Sequence, residues 1–162
     1  MSAGWSWAFD TPFDWFKQNA SRLGGINQNM VVSWPARIKD KGGLREQFVR
    51  APDMVDGIKQ KPIEGTSFLY TFDAKNAKAP SRHTTQYFEM MGQWALYKDG
   101  WMLSTKVNRA PWQAFGPANP DPLNKQDFQL YDLSKDFTQS NDIAAANPAK
   151  VAEMRKQFLA EA

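Results

Sequence analysis

Apolar and polar positions fall into clear patterns mainly in the second half of the chain. Within RHTTQYFEMMGQWALYKDGWMLST, residues 82–105, the runs Trp94-Ala95-Leu96-Tyr97 and Trp101-Met102-Leu103 flank Asp99-Gly100. An Asp-Gly pair between two such runs predicts a two-residue hairpin, because both central positions of that turn need φ > 0. Met91-Gly92 supplies a second tight turn and extends the prediction to a three-strand meander. Phe128-Gln129-Leu130-Tyr131 offers a fourth strand after the proline-rich stretch PWQAFGPANPDP. Asn147 then caps a helix with Pro148 at its first position. Val151, Met154 and Phe158 recur at helical spacing and make one apolar stripe. These elements predict an α+β fold: a small antiparallel sheet of about four strands packed by a C-terminal helix.

The first half is less regular. Thr11-Pro12-Phe13-Asp14 reads as a helix start, with Thr11 capping, Pro12 at the first position and Asp14 near the positive helix end. That helix is expected to run to about Ser21 and stop at Gly24-Gly25. Met30-Val31-Val32-Ser33-Trp34 reads as a short buried strand ended by Pro35. The charged stretch ARIKDKGG, residues 36–43, reads as a loop. Residues 44–82 are poorly patterned, and only Phe68-Leu69-Tyr70-Thr71-Phe72 has strand character. A loop of that length is unusual inside a compact domain.

Composition narrows the class of protein. The chain has 162 residues, 42% of them apolar, with seven Trp and eleven Phe, enough for one ordinary domain with a core. Net charge is +3 and the basic residues are scattered, which argues against a nucleic-acid partner. The absence of cysteine excludes disulfides, thiolate metal sites and a cysteine nucleophile within these residues. No stretch approaches the ~20 apolar residues of a membrane span. MSAGWSWAFDTPF lacks the basic start and apolar run of a signal peptide, and the compartment stays open.

Candidate chemistry is sparse. His83 is the only histidine, so a histidine metal cluster is impossible and any Ser-His-Asp arrangement would have to use it. Its position between a proline turn and a strand suits an exposed or edge-strand residue. Asp132 and Asp136 flank a turn and fit turn stabilisation better than acid–base work. Trp94, Tyr97 and Trp101 could stack on a sugar or aryl ligand, but strand alternation favours core and cross-strand roles. No reaction centre emerges from the residues themselves.

Five stretches taken together resemble bacterial arylsulfatases, in the formylglycine-dependent, alkaline-phosphatase-like superfamily. They are GWSWAFDTPFDWFKQNASRLGG, MVVSWPARIKDKGGLREQF, VDGIKQKPIEGTSFLYTFD, RHTTQYFEMMGQWALYKDGW and LYDLSKDFTQSNDIA. They occur in the family's order, cover most of the chain and correspond to the last third of such an enzyme. The resemblance implies sulfuric-ester hydrolysis by a formylglycine made from a cysteine or serine in a C/S-x-P-S-R motif. It also implies a calcium-type divalent metal held by aspartates and an asparagine, with cations on the sulfate. Almost all of that machinery lies upstream of the matching part. The chain contains no such motif and is expected to bind neither cofactor itself. Lys78-Ala79-Pro80-Ser81-Arg82 is a chance match, since lysine cannot become formylglycine.

In the family, a lysine just before a glycine pair contacts the sulfate, and the glycines let the backbone pass close beneath. Lys17, Gly24 and Gly25 best fit those positions. The competing reading of Lys17 is a solvated helix lysine. This sequence departs from the pattern at several points. The arginine usual after the glycine pair is missing from Ile26-Asn27-Gln28-Asn29, and another is replaced near Gln93-Trp94. Arg22 stands where histidine or glutamate is more usual. A helix that packs on the family's central sheet is deleted between Phe48-Val49 and Arg50-Ala51-Pro52.

The resemblance therefore implies two regions. Residues 1–75 are a remnant of the end of the catalytic α/β domain, with the deletion near 49–51, and residues 76–162 are the C-terminal subdomain. Each lost buried side chain removes ~1.5–3 kcal/mol from a net stability of ~5–15 kcal/mol, so residues 1–75 are expected to be loosely held. The function implied is that of a C-terminal arylsulfatase fragment, inactive alone, with a sulfatase catalytic chain as the candidate partner. The alternative is a non-catalytic binding or interaction module derived from a sulfatase.

Overall fold

A computed structural model describes residues 3–17, 19–27, 29–47, 54–55, 58–59, 67–90, 92–107 and 127–161. In chain order the elements are α1 (Ala3–Asp10), α2 (Leu23–Ile26), β1 (Met54–Val55), β2 (Ile58–Lys59), β3 (Thr85–Met90), β4 (Gln93–Lys98), β5 (Trp101–Thr105), β6 (Phe128–Asp132) and α3 (Pro148–Glu161). Two 3₁₀ turns, Leu69–Phe72 and Ala74–Asn76, lie between β2 and β3. The chain divides into two compact units, Met1–Gln28 with Thr85–Ala162, and Asn29–Thr84.

The larger unit is an α+β assembly built on a four-stranded antiparallel sheet in the order β3-β4-β5-β6. The β4–β5 turn forms where Asp-Gly chemistry predicts it: Asp99 and Gly100 sit at φ 48° and 85°, and Lys98 pairs with Trp101. Gly92 takes φ 74° in the β3–β4 turn, where Met90 pairs with Gln93. The expected fourth strand is β6, with Leu103 opposite Leu130 and Met102 opposite Tyr131.

Both faces of the sheet are covered, which explains why β4 and β5 read as nearly continuous apolar runs. On one face Trp94, Leu96, Leu103 and Leu130 pack with Met154 and Phe158 of α3. The Phe158 ring lies 5.3 Å from Trp94 and 5.4 Å from Tyr87. On the other face Ala95, Met102 and Tyr131 pack with Leu23, joined by Phe13 and Ile26. Pro148 opens α3 as predicted; the Asn147 carbonyl accepts from the Val151 amide at 3.1 Å, while its side-chain amide donates to the Ile143 carbonyl at 2.9 Å.

The first half departs from the local patterns. The helix expected from Thr11 to Ser21 does not form; the helical residues are Ala3–Asp10, and the Thr11 hydroxyl donates to the Ala8 carbonyl at 3.3 Å instead of capping. Residues 19–23 face the core in an irregular turn, with Asn19, Ala20, Ser21, Arg22 and Leu23 all buried. The long-range bonds described below outweigh the propensity of this stretch. Gly24-Gly25 does not stop a helix but lies within the single turn α2.

In the smaller unit β1 and β2 pair as a two-stranded ribbon, Met54 opposite Lys59. Phe68–Phe72 does not form a strand: Leu69–Phe72 is 3₁₀, with the Thr71 hydroxyl donating to the Phe68 carbonyl at 2.8 Å. Met30–Trp34 does not form a buried strand. It is non-helical and unpaired in a sheet, and Val31 is 95% exposed. The residues beside the inferred deletion, 48–53, lie outside the described residues.

Candidate functional site

The segment singled out by Lys17, Gly24 and Gly25 is carried by the larger unit. Lys17 is exposed in a turn immediately before the buried run 19–23. Gly24 is cramped by the chain itself: a Cβ there would overlap the Trp15 carbonyl and the Asp10 carboxylate. A Cβ on Gly25 would overlap the Asn19 carbonyl. Only glycine fits at either position without moving backbone.

Arg22 holds this segment to the sheet, a role that local sequence patterns did not reveal. Its guanidinium is buried and forks to three acceptors: the Tyr131 hydroxyl at 2.8 Å, the Gln129 side-chain oxygen at 2.6 Å and the Gln139 carbonyl at 3.1 Å. It also lies 5.1 Å from the Tyr131 ring centroid and 3.8 Å from the half-exposed Asp14 carboxylate. Gln139 completes the clasp, accepting from the Leu23 amide at 2.7 Å and reaching the Ser104 hydroxyl at 3.4 Å. Gln139 does this from a left-handed backbone, φ 58°, that non-glycine residues seldom adopt. Burial pushes the Tyr131 phenol up, and the Arg22 charge and hydrogen bond oppose that shift only in part. The planar five-donor fork of arginine suits three acceptors in fixed positions, which a lysine could not match.

A shallow cleft of about 370 Å³ opens beside the segment, lined by Ala20, Gly25, Ile26 and the β3 residues Tyr87, Phe88, Glu89 and Met90. Tyr87 donates to the Glu89 carboxylate at 2.9 Å. Burial, and then that bond, push the Tyr87 phenol up to about 12.

The other candidates take structural roles. Trp94 is buried in the core; Trp101 is half-buried, with the Lys150 ammonium 5.7 Å from its ring; Tyr97 packs at the margin of the second cluster. Asp132 caps the turn after β6, accepting from the Ser134 hydroxyl and amide, and those bonds with Lys135 hold its carboxyl below the usual range. Burial alone would raise Asp136. The Asn141, Ser140 and Gln139 amides and the Thr138 hydroxyl outweigh it and hold the carboxyl low. His83 is half-buried ahead of β3, and its amide and carbonyl close a local turn with the Ser81 hydroxyl. Arg82 of the K-A-P-S-R stretch lies over the Tyr70 ring at 4.2 Å. Among the described residues no three His, Asp or Glu side chains converge as a cation site.

No family model and no curated protein matches the chain. Among solved structures, one similar chain is a Bacteroides thetaiotaomicron sulfatase from work on the metabolism of multiple glycosaminoglycans. It overlaps with a TM-score of 0.42 and 19% identity, over 63% of this chain and 21% of that one. The present chain spans about a fifth of that neighbour's length, a weak likeness to a sulfatase-related fold that transfers no residue roles.

Proposed function

We propose that this chain is the C-terminal portion of a formylglycine-dependent sulfatase and contributes Lys17 to a sulfate-binding surface whose nucleophile and cation ligands lie in another part of the enzyme. The observation that carries the reading is the set of five family-like stretches in family order. The placement of Lys17 supports it: the residue is exposed in a turn five positions before Arg22, whose guanidinium bonds to Gln129 and Tyr131 of the sheet. A sulfuryl group accumulates negative charge on its oxygens as the ester bond breaks, and a preorganised cation stabilises that charge. The cramped backbone at Gly24 supports its assignment as a close-approach glycine.

The 162-residue polypeptide supplies no formylglycine motif and is expected to turn over no aryl sulfate by itself. The test is hydrolysis of a chromogenic aryl sulfate by the pure chain, with and without chelator. Chelator-sensitive turnover would overturn the assignment of nucleophile and metal to another part. In an enzyme completed by a formylglycine-bearing portion, Lys17→Ala is expected to cost on the order of 10²-fold in kcat/KM. An unchanged kcat/KM would remove Lys17 from the sulfate site.

A further inference from the structure

Charge is divided unevenly between the two units. Residues 29–84 carry ten lysines and arginines against six aspartates and glutamates, a net +4, while the larger unit carries ten against eleven, a net −1. Around the 3₁₀ turn Leu69–Phe72 of the smaller unit, two guanidiniums lie on aromatic rings. Arg82 sits 4.2 Å from the centroid of Tyr70, and Arg37 sits 5.9 Å from that of Trp34, whose ring meets Phe72 edge-on at 6.0 Å. The turn beneath is pinned. Arg45 Nε donates to the Thr71 carbonyl at 2.6 Å, the Asn76 side chain to the Tyr70 carbonyl at 2.8 Å, and the Tyr70 hydroxyl to the Pro80 carbonyl at 3.2 Å. Arg37 and Arg82 are exposed, and among the described residues neither guanidinium donates a hydrogen bond or pairs with a carboxylate. Lys41, Lys75 and Lys78 are exposed as well. Of the unit's described acids, Asp40 is paired with Arg45 at 2.7 Å, which leaves Glu46 and Asp73.

We propose that the surface around Leu69–Phe72 binds a sulfated polysaccharide, with Arg37 and Arg82 as the forks that take its sulfate groups. A guanidinium lying on a ring spends its flat face on that ring and keeps its in-plane N–H donors for a ligand. The ring also fixes the direction of the fork, so less freedom is lost when an anion arrives. A sulfate ester offers three equivalent oxygens, and a fixed fork meets two of them at many rotations about the ester bond. A carboxylate offers two oxygens in one plane. A nucleic acid would need open ring faces on which to stack its bases. Here guanidiniums lie on Tyr70 and Trp34, and Phe68 meets Phe72 edge-on at 5.3 Å. The forks stand on different rings, so a polymer with repeated sulfates engages both and makes its second contact without a second encounter. The surface rests on the smaller unit's own contacts and does not depend on the function proposed above.

The test measures binding of the 162-residue chain to dextran sulfate by isothermal titration calorimetry at low salt, beside unsulfated dextran, polyglutamate and oligothymidylate. Arg37→Ala and Arg82→Ala are each expected to weaken dextran sulfate binding about fivefold, and the double variant about twentyfold. Arg82→Lys keeps the charge but loses the fork, and is expected to weaken binding nearly as much as Arg82→Ala. Lys156→Ala, an equal charge change at an exposed residue of α3 in the larger unit, is expected to alter it less than about twofold. The replaced side chains are exposed, so circular dichroism of the variants is expected to match that of the parent. No binding of dextran sulfate, or binding unmoved by the double variant, would overturn the surface. Equal weakening by Lys156→Ala would overturn the forks in favour of unspecific charge. Tighter binding of polyglutamate, oligothymidylate or unsulfated dextran than of dextran sulfate would overturn the ligand class. The aryl sulfate and Lys17 measurements fail or succeed independently of all these outcomes.

Discussion

Replacing Arg22 with methionine isolates the clasp between the N-terminal segment and the sheet. The side chain keeps its length and apolar stem but loses all three hydrogen bonds, at 2.6, 2.8 and 3.1 Å. Two of the abandoned acceptors, the Tyr131 hydroxyl and the Gln139 carbonyl, lie in buried surroundings. Each costs ~1–3 kcal/mol when left without a partner. Gln129 is half-buried, so its oxygen can turn to water at little cost. The Asp14 pair, at 3.8 Å with Asp14 half exposed, contributes at most ~1 kcal/mol. Against these losses stands relief from burying a guanidinium, which offsets part of the total. The net expectation is a loss of about 2–4 kcal/mol, or a melting temperature lower by roughly 4–16 °C. Arg22→Lys is expected to fall between, because one ammonium cannot reach all three acceptors. The assay is thermal unfolding followed by near-ultraviolet circular dichroism, with amide exchange read at residues 19–25. A loss below ~0.5 kcal/mol, the range of an inert surface change, together with unchanged protection would refute the clasp.

Other substitutions test separate parts of the fold. Gly24→Ala must push backbone at Trp15 and is expected to cost about 3 kcal/mol, the upper end of overpacking, whereas Gly4→Ala meets open space in α1 and is expected to stabilise by about 0.5–1 kcal/mol. Equal melting temperatures for the two variants would contradict the close approach. Phe158→Ala empties the centre of the ring cluster with Tyr87, Trp94 and Phe128 and is expected to cost about 3–5 kcal/mol in urea unfolding. A loss under 1 kcal/mol would show that α3 does not cover that face. Tyr87 titrates at about 12, raised first by burial and then by Glu89. The neutral phenol is the form favoured by folding, so its contribution is complete below the unfolded value near 10 and is lost as pH rises from about 10 through about 12. Phenolate absorbance is expected to show a late component, shared with the raised Tyr131 phenol, that shrinks in Tyr87→Phe and moves down only in part in Glu89→Gln. A late component undiminished by Tyr87→Phe would assign it elsewhere.

Much of the sheet unit was legible because its determinants are local. Asp99-Gly100 specifies a turn with two positive φ values, and Val151, Met154 and Phe158 need only helical geometry to share a face. The four strands and α3 follow from such short-range rules. The N-terminal segment does not. Thr11-Pro12 carries a helix-start signature, yet residues 19–23 are held by acceptors that lie more than a hundred positions away. Propensity is a weak prior against a buried three-bond fork. Met30–Trp34 was misread for a different reason. Its apolarity describes a strand environment, but no strand among the described residues of its own unit pairs with it. Of the candidate site, the restriction at Gly24 and Gly25 could be read from the glycine pair itself. The position of Lys17 on an exposed turn could not, and Arg22 was visible only as a departure from a family pattern.

The clasp also sets an order of events at birth. The bond from Arg22 to the Gln139 carbonyl closes a loop of 117 residues. At ~5–20 residues per second, roughly 6–23 s pass between synthesis of its two ends. During that interval Leu23 and the polar run before it emerge without the sheet face that buries them. The hairpin and α3 close over short distances and form first, and the N-terminal segment lands on a surface already built. During synthesis the buried residues 19–23 thus stay uncovered until the strand and loop that hold them, as far as Gln139, have emerged, and chaperone occupancy is expected on that segment during the interval.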